Sequence, residues 1–386
     1  GSMRTKKFGP DPRWGMLAPV TKSEVVTTPG GRIRTVLATR TATLSNPNNV
    51  LSLASLTDTV TDNGAVSTRV FSNNGTTRSL VETSAAGRSS TTSLDALGRI
   101  AQVQVSGLDP VNYAYDARGL VSNITEGSGA ASRSTTLTFN SAYEFSGATD
   151  ALGRTYGYTY DSVGRLVTET LPGAGVVTRG YDAAGNMASM TPPGRTAHGF
   201  TYSPIGQTAT YTPPDLGTGS TTTQMTYDAD RALTRITRPD GQLIDVTYDA
   251  AGRRSTLAIA RGAFGYSYSP ITDLLTGITA PGGLALSYTR DSELLTGITW
   301  SGAVAGSTAY TYNNDFRVTA ENVNGGSSVN FTYAADGFLS SAGGMALTRS
   351  AQNGLLTGST LGGVSDSHSY NTLAEHSNYS ASYNAT

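Results

Sequence analysis

The chain has 386 residues with 27 basic and 28 acidic side chains, three histidines and no cysteine. That balance offers little to a nucleic acid or other polyanion, because charged residues are only 14% of the chain, against roughly 25% in an ordinary soluble domain, and no basic tract extends beyond Lys6-Lys7. The lack of cysteine excludes a disulfide framework, a thiolate metal site and a thiol nucleophile, and no apolar run is long enough for a membrane span or a signal-sequence core.

Gly1-Ser2-Met3 reads as a cloning scar. Residues 4–60 predict an N-terminal β segment: Asp11-Pro12-Arg13-Trp14-Gly15 is a loop, the apolar residues Val25, Val26, Ile33 and Leu37 belong to strands joined at Pro29-Gly30-Gly31-Arg32, and Asn46-Pro47-Asn48-Asn49 is a further turn. From residue 61 to 386 an array of hairpins is predicted, opening with turns at Asp62-Asn63-Gly64, Asn73-Asn74-Gly75 and Ala85-Ala86-Gly87-Arg88.

One phrase then recurs. Tyr156, Tyr158 and Tyr160 stand at spacing two, so an extended chain sends all three rings to one face and Gly157 and Thr159 to the other. Asp161-Ser-Val-Gly164 ends the strand. Aspartate at the first position of a type I turn caps backbone N–H groups, and glycine at the fourth admits positive φ. The same turn is predicted at Asp95 with Gly98, Asp116 with Gly119, Asp182 with Gly185, Asp249 with Gly252, and at Asp228. The tyrosines that mark the repeat are Tyr115, Tyr160, Tyr181, Tyr202, Tyr227, Tyr248, Tyr268, Tyr288, Tyr312 and Tyr333. Their interval is about 21 residues, that of a repeat array and not of a globular domain. Equivalent tyrosines of successive hairpins are expected to stack into ladders, and no helix is predicted, since Gly, Thr, Ser and Pro interrupt every apolar pattern.

The repeated Tyr-Asp-x-x-Gly-Arg phrase, with its companion turns Thr149-Asp150-Ala-Leu-Gly153-Arg154 and Arg238-Pro239-Asp240-Gly241, resembles the YD-repeat (Rhs) family of bacterial Rhs toxins, toxin-complex shell proteins and teneurins, over roughly residues 60–386. The resemblance implies an all-β array of antiparallel hairpins whose sheet spirals into a hollow shell; from composition alone a closed β-solenoid is also admissible. The family's self-processing members use a C-terminal Asp-Pro-x-Gly-Leu-type motif. Here Asp11-Pro12 and Asp109-Pro110 both lack the following glycine, and the chain stops in mid-repeat, as a fragment would.

No residue is predicted to be catalytic, cofactor-binding or metal-ligating. His198 is expected to be an ordinary strand or rim residue. His368 and His376 flank Tyr370, with Asp366 and Glu375 nearby, but their spacing fits no usual ligand pattern. The repeated aspartates lack the alternating acidic ligands of a calcium repeat. The expected function is therefore a non-enzymatic shell fragment that encloses or displays a C-terminal toxin or effector. Its partners would be the rest of the same polypeptide or a capping protein, in a secreted, cell-surface or secretion-system-delivered setting. Edge-to-edge self-association is expected of an exposed terminal strand. Two other readings stay open: a module binding surface glycans, and a polysaccharide-degrading enzyme with a Tyr/His/Arg groove.

Overall fold

In the computed structural model, residues 1–215, 217 and 221–384 are described. They form 34 β-strands and a single 3-10 turn, Gly129–Ala131. Within each unit, strands adjacent in sequence pair antiparallel, and the class is all-β. The chain forms two units: Gly1–Arg133 with Tyr288–Thr299 and Gly306–Thr386, and Ser134–Ser287 with Trp300–Ala305.

The second unit shows the repeat in its plainest form. Strand Thr155–Tyr160 turns through Asp161 into Leu166–Thr170, which turns into Val176–Tyr181. Tyr158 stands opposite Glu169, and a bulge between Thr159 and Tyr160 sets Tyr160 opposite Leu166. The same bulge precedes Tyr181, Tyr202, Tyr227, Tyr248 and Tyr268. The extra residue, Val167, lies on the partner strand, which bends there opposite Tyr160. The tyrosine hydroxyl reaches the preceding strand and donates to the carbonyl of that strand's first residue: Tyr160 to Phe145 (2.8 Å), Tyr181 to Leu166 (2.7 Å), Tyr202 to Met187 (2.8 Å) and Tyr248 to Leu233 (2.9 Å). Tyr227 and Tyr268 do likewise, to Thr208 and Arg254.

The predicted tyrosine ladders are corrected by this arrangement. None of the ring pairs among the described residues joins two repeat tyrosines. The arginine that closes one turn lies over the tyrosine of the next repeat instead, Arg165 over Tyr181 at 4.5 Å and Arg253 over Tyr268 at 4.6 Å. A guanidinium gains from the negative ring face and occupies the space a second ring would need.

The first unit begins with longer strands, among them Gly15–Thr27 and Ile33–Leu44, and shortens toward the repeat length by Ser89–Leu94. It uses the same ties: Tyr115 to Ile100 (2.7 Å), Tyr312 to Leu295 (2.6 Å) and Tyr333 to Val318 (2.6 Å). Tyr288 faces Arg290 at 6.0 Å.

In both units the face opposite the tyrosines is small and polar, with threonine hydroxyls meeting across strands: Thr201 with Thr210, Thr311 with Thr319. Neither face is sealed. Val246 is the one buried hydrophobic side chain among the described residues, and the chain exposes 22459 Å², where a compact monomer of 40.0 kDa would expose about 14,000 Å². With few side chains fully buried, hydrogen-bonded ladders, turns and ties such as Tyr160 share the fold with half-buried apolar side chains.

Candidate functional site

The five-residue turn is the element from which the site is made. In residues 161–165 the Asp161 N–H donates to the Arg165 carbonyl (3.0 Å) and the Gly164 N–H to the Asp161 carbonyl (3.1 Å). Gly164 has φ 82. Asp161 Oδ1 accepts from the backbone of Val163 and Arg165, both at 3.0 Å, and Oδ2 from Arg165 Nε at 2.7 Å. Asp95 with Arg99 and Asp249 with Arg253 repeat the pattern, and Gly98 and Gly252 take the positive φ. At Asp116 the turn closes on Leu120, so Arg118 supplies the guanidinium; at Asp182 it closes on Asn186. Gly119 and Gly185 again have positive φ. Asp228 accepts from the Ala232 N–H at 2.8 Å, but there Arg231, not a glycine, has the positive φ.

These hydrogen bonds stabilise the ionised carboxylate. Asp95, Asp116 and Asp161 are held below the usual range first by the backbone N–H of Arg99, Leu120 and Arg165. For Asp182 and Asp249 the side chains of Asn186 and Arg253 come first.

Two turns of the first unit keep the frame and the final arginine but lack the aspartate. Residues 28–32 place Thr28 at the first position and residues 84–88 place Ser84 there, with the same backbone bonds. In both, the carboxylate comes from far along the chain. Asp291 accepts from Thr28 Oγ1 (2.6 Å), the Gly30 N–H (2.7 Å) and Arg32 Nη1 (3.2 Å). Asp336 accepts from Ser84 Oγ (3.4 Å) and pairs with Arg88. The arginines then behave as they do within a repeat. Arg32 lies over the Tyr312 ring at 5.9 Å and donates to its carbonyl at 3.1 Å; Arg88 lies over Phe338 at 5.3 Å and donates to the Ser350 carbonyl.

The seam continues past these two sockets. Thr372 donates its hydroxyl to Asp109 at 2.6 Å while its carbonyl accepts from the Asp109 N–H at 2.8 Å. Arg133 pairs with Glu375, whose carboxyl Arg133 and Asn371 hold down at about 2. Asp291 and Asp336 are only 8% and 7% exposed. Burial alone would raise the Asp291 carboxyl, yet the bonds from Thr28, Gly30 and Arg32 outweigh it and the net shift is downward. A Cβ at Gly30 would lie 2.5 Å from Asp291 Oδ2, so the close approach depends on glycine there.

A cleft of about 820 Å³ lies beside the Arg88 socket. On one side Arg40, Asp58, Arg69 and Glu82 stand directly opposite one another on four successive strands, with Arg40 bidentate on Asp58 at 2.6 and 2.8 Å. Buried Asp11 also accepts from Arg40 and from the N–H groups of Arg13 and Trp14; burial pushes its carboxyl up and those bonds bring it below the usual range. Phe338, Gln352 and Asn353 also line the cleft. Opposite charges alternate along this rung, so the cleft presents no single sign of charge for a charged ligand to follow.

These partners leave one signal in the sequence: Thr28…Arg32 and Ser84…Arg88 keep the arginine whose carboxylate has gone. His198, in the second unit, opens strand His198–Tyr202 and meets the Tyr211 hydroxyl at 2.8 Å.

A family model described as Teneurin YD-shell matches residues 36–386. No curated protein matches the chain. Among solved structures, it is similar to the Photorhabdus luminescens Tc holotoxin pore carrying a TccC3 point mutation, at 12% identity and a TM-score of 0.38, with 94% of this chain and 26% of that chain covered. It is also similar to TcdB2-TccC3 without the hypervariable C-terminal region, at 13% identity and a TM-score of 0.38, with 94% and 26% covered. The chain thus spans about a quarter of the length of those chains.

Proposed function

Because this chain belongs to the teneurin YD-shell family, we propose that it is a length of non-enzymatic shell wall within a larger secreted or cell-surface polypeptide, where it encloses or displays the remainder. The observation that supports this most is the supply of Asp291 and Asp336 to the empty sockets of turns 28–32 and 84–88. A surface that only presents residues has no use for buried ion pairs joining segments some 252 to 263 residues apart; a wall that must close on itself does. The Thr and Ser face suits the same role, because it gives an unfolded cargo few apolar atoms to adhere to. Sugar stacking finds no comparable support, since the repeat tyrosines that tie the repeats spend their hydroxyls on carbonyls and several carry an arginine over the ring.

The test is protection. An unfolded, protease-sensitive reporter fused to the C-terminus should be cut more slowly than the free reporter, and the protection should shrink in the Asp291→Ala, Asp336→Ala double variant. Equal cleavage of fused and free reporter would refute enclosure. Turnover of any polysaccharide, nucleic acid or peptide in a substrate panel, lost in His198→Ala, would replace the wall with an enzyme.

A further inference from the structure

Eight residues separate His368 from His376 in sequence, yet the hairpin formed by strands Val364–Tyr370 and His376–Tyr383 brings His368 Nδ1 to 3.1 Å from His376 Nε2. We propose that this pair is a two-imidazole site for a divalent transition-metal cation of the copper, nickel and zinc class, with water completing the coordination sphere.

Three observations carry it. The first is the separation. Metal–imidazole bonds of about 2.0–2.1 Å hold two nitrogens roughly 2.9 Å apart at a right angle and about 3.3 Å apart at a tetrahedral one, and 3.1 Å falls between. A hydrogen bond between the rings would give the same distance, so the surroundings have to decide. The second is the far side of His368, where Nε2 faces the Asp366 carboxylate at 3.8 Å. At that distance the carboxylate makes no hydrogen bond to the ring but places a negative charge beside any cation the imidazole holds. Asp366 is itself held by the Ser359 N–H. The third is the packing: the Tyr379 ring lies against His368 at 5.2 Å and the Tyr370 ring stands edge-on to His376 at 5.5 Å. Both imidazoles are thereby oriented before any ion arrives, which lowers the ordering cost of binding.

No group of three or more His, Asp or Glu is placed to hold an ion among the described residues. The site therefore offers two protein ligands and open positions, which suits imidazole-seeking cations and not calcium or magnesium, whose coordination needs several oxygens. Its consequence is a clip across the hairpin: an ion bound to both strands stabilises the folded hairpin in proportion to its free concentration.

With three histidines and no cysteine in the chain, the background is low. Copper(II) titrated calorimetrically into the protein should give one bound ion per chain, and the bound copper should show hyperfine coupling to two nitrogens by electron paramagnetic resonance. His376→Ala, at an exposed position, and His368→Ala should each abolish that site, whereas His198→Ala should leave it unchanged. Asp366→Asn should weaken binding, because it removes the negative charge 3.8 Å from His368. Absence of a stoichiometric site, or a site that survives His376→Ala, would overturn the proposal. If His368→Ala melts before titration, His376→Ala alone decides.

Discussion

Asp291→Ala should open the seam. The substitution removes the acceptor for three donors: the Thr28 hydroxyl, the Gly30 N–H and the Arg32 guanidinium. Neutral hydrogen bonds contribute about 1 kcal/mol each and a charge-assisted one about 1.5–3 kcal/mol. Removing one member of a buried pair costs about 3–5 kcal/mol in total. Arg32 remains 25% exposed and can recover some hydration, so the lower end, about 3 kcal/mol, is expected. At roughly 2–4 °C per kcal/mol for a unit of about 200 residues, the melting temperature should fall by about 6–12 °C. Asp161→Ala is the control. It deletes an equivalent set of bonds in a turn whose carboxylate water can reach, and should shift the melt less. Scanning calorimetry of both variants decides: if Asp291→Ala melts no lower than Asp161→Ala, the trans carboxylate closes nothing.

Acid should loosen the same contact. The Asp291 carboxyl lies lower in the folded protein than its ordinary value of 3.8, so its contribution is present above that value and is lost as pH falls through the folded value; the protection factor of the Gly30 amide, its exchange rate corrected for the intrinsic pH dependence, should fall below about pH 4, and a flat profile would count against the linkage. Gly164→Val should lower the melting temperature more than Asp161→Ala, because φ 82 is strained for a β-branched residue at a cost of about 2 kcal/mol; equal shifts would contradict the turn geometry. Gly30→Ala should mimic Asp291→Ala, since its methyl group would meet the carboxylate; an unchanged melt would show that the two segments can part without loss.

Much of the fold was legible because its determinants are local. Alternating rings at Tyr156, Tyr158 and Tyr160 mark a strand, and Asp161 followed by Gly164 marks a turn, within a span of nine residues. What the tyrosines do was not legible for a local reason too: neither the tie from the Tyr160 hydroxyl to the Phe145 carbonyl nor the bulge opposite Tyr160 leaves a trace in a pattern of alternating polarity. The rung of Arg40, Asp58, Arg69 and Glu82 depends on the register of three hairpins at once. The seam lay further out of reach. Nothing near Thr28 names Asp291, and only the arginine left without its turn aspartate hints that a carboxylate arrives from elsewhere. His368 and His376 fit no ligand spacing as letters; their meeting is a product of the turn through Asn371–Glu375 and the register beyond it.

A sheet that leaves both faces wet also unfolds differently from a globule when temperature is varied. Newly exposed apolar surface is what makes the heat capacity of unfolding large, near 12–15 cal/mol/K per residue in ordinary domains. Here Val246 is the only hydrophobic side chain buried among the described residues, so less such surface is uncovered. The increment should be smaller and the stability curve flatter, with a broad plateau in place of a sharp optimum. Cooling then removes little of the driving force, and a wall of this construction should hold nearly the same strength in the cold as at the upper end of its working range.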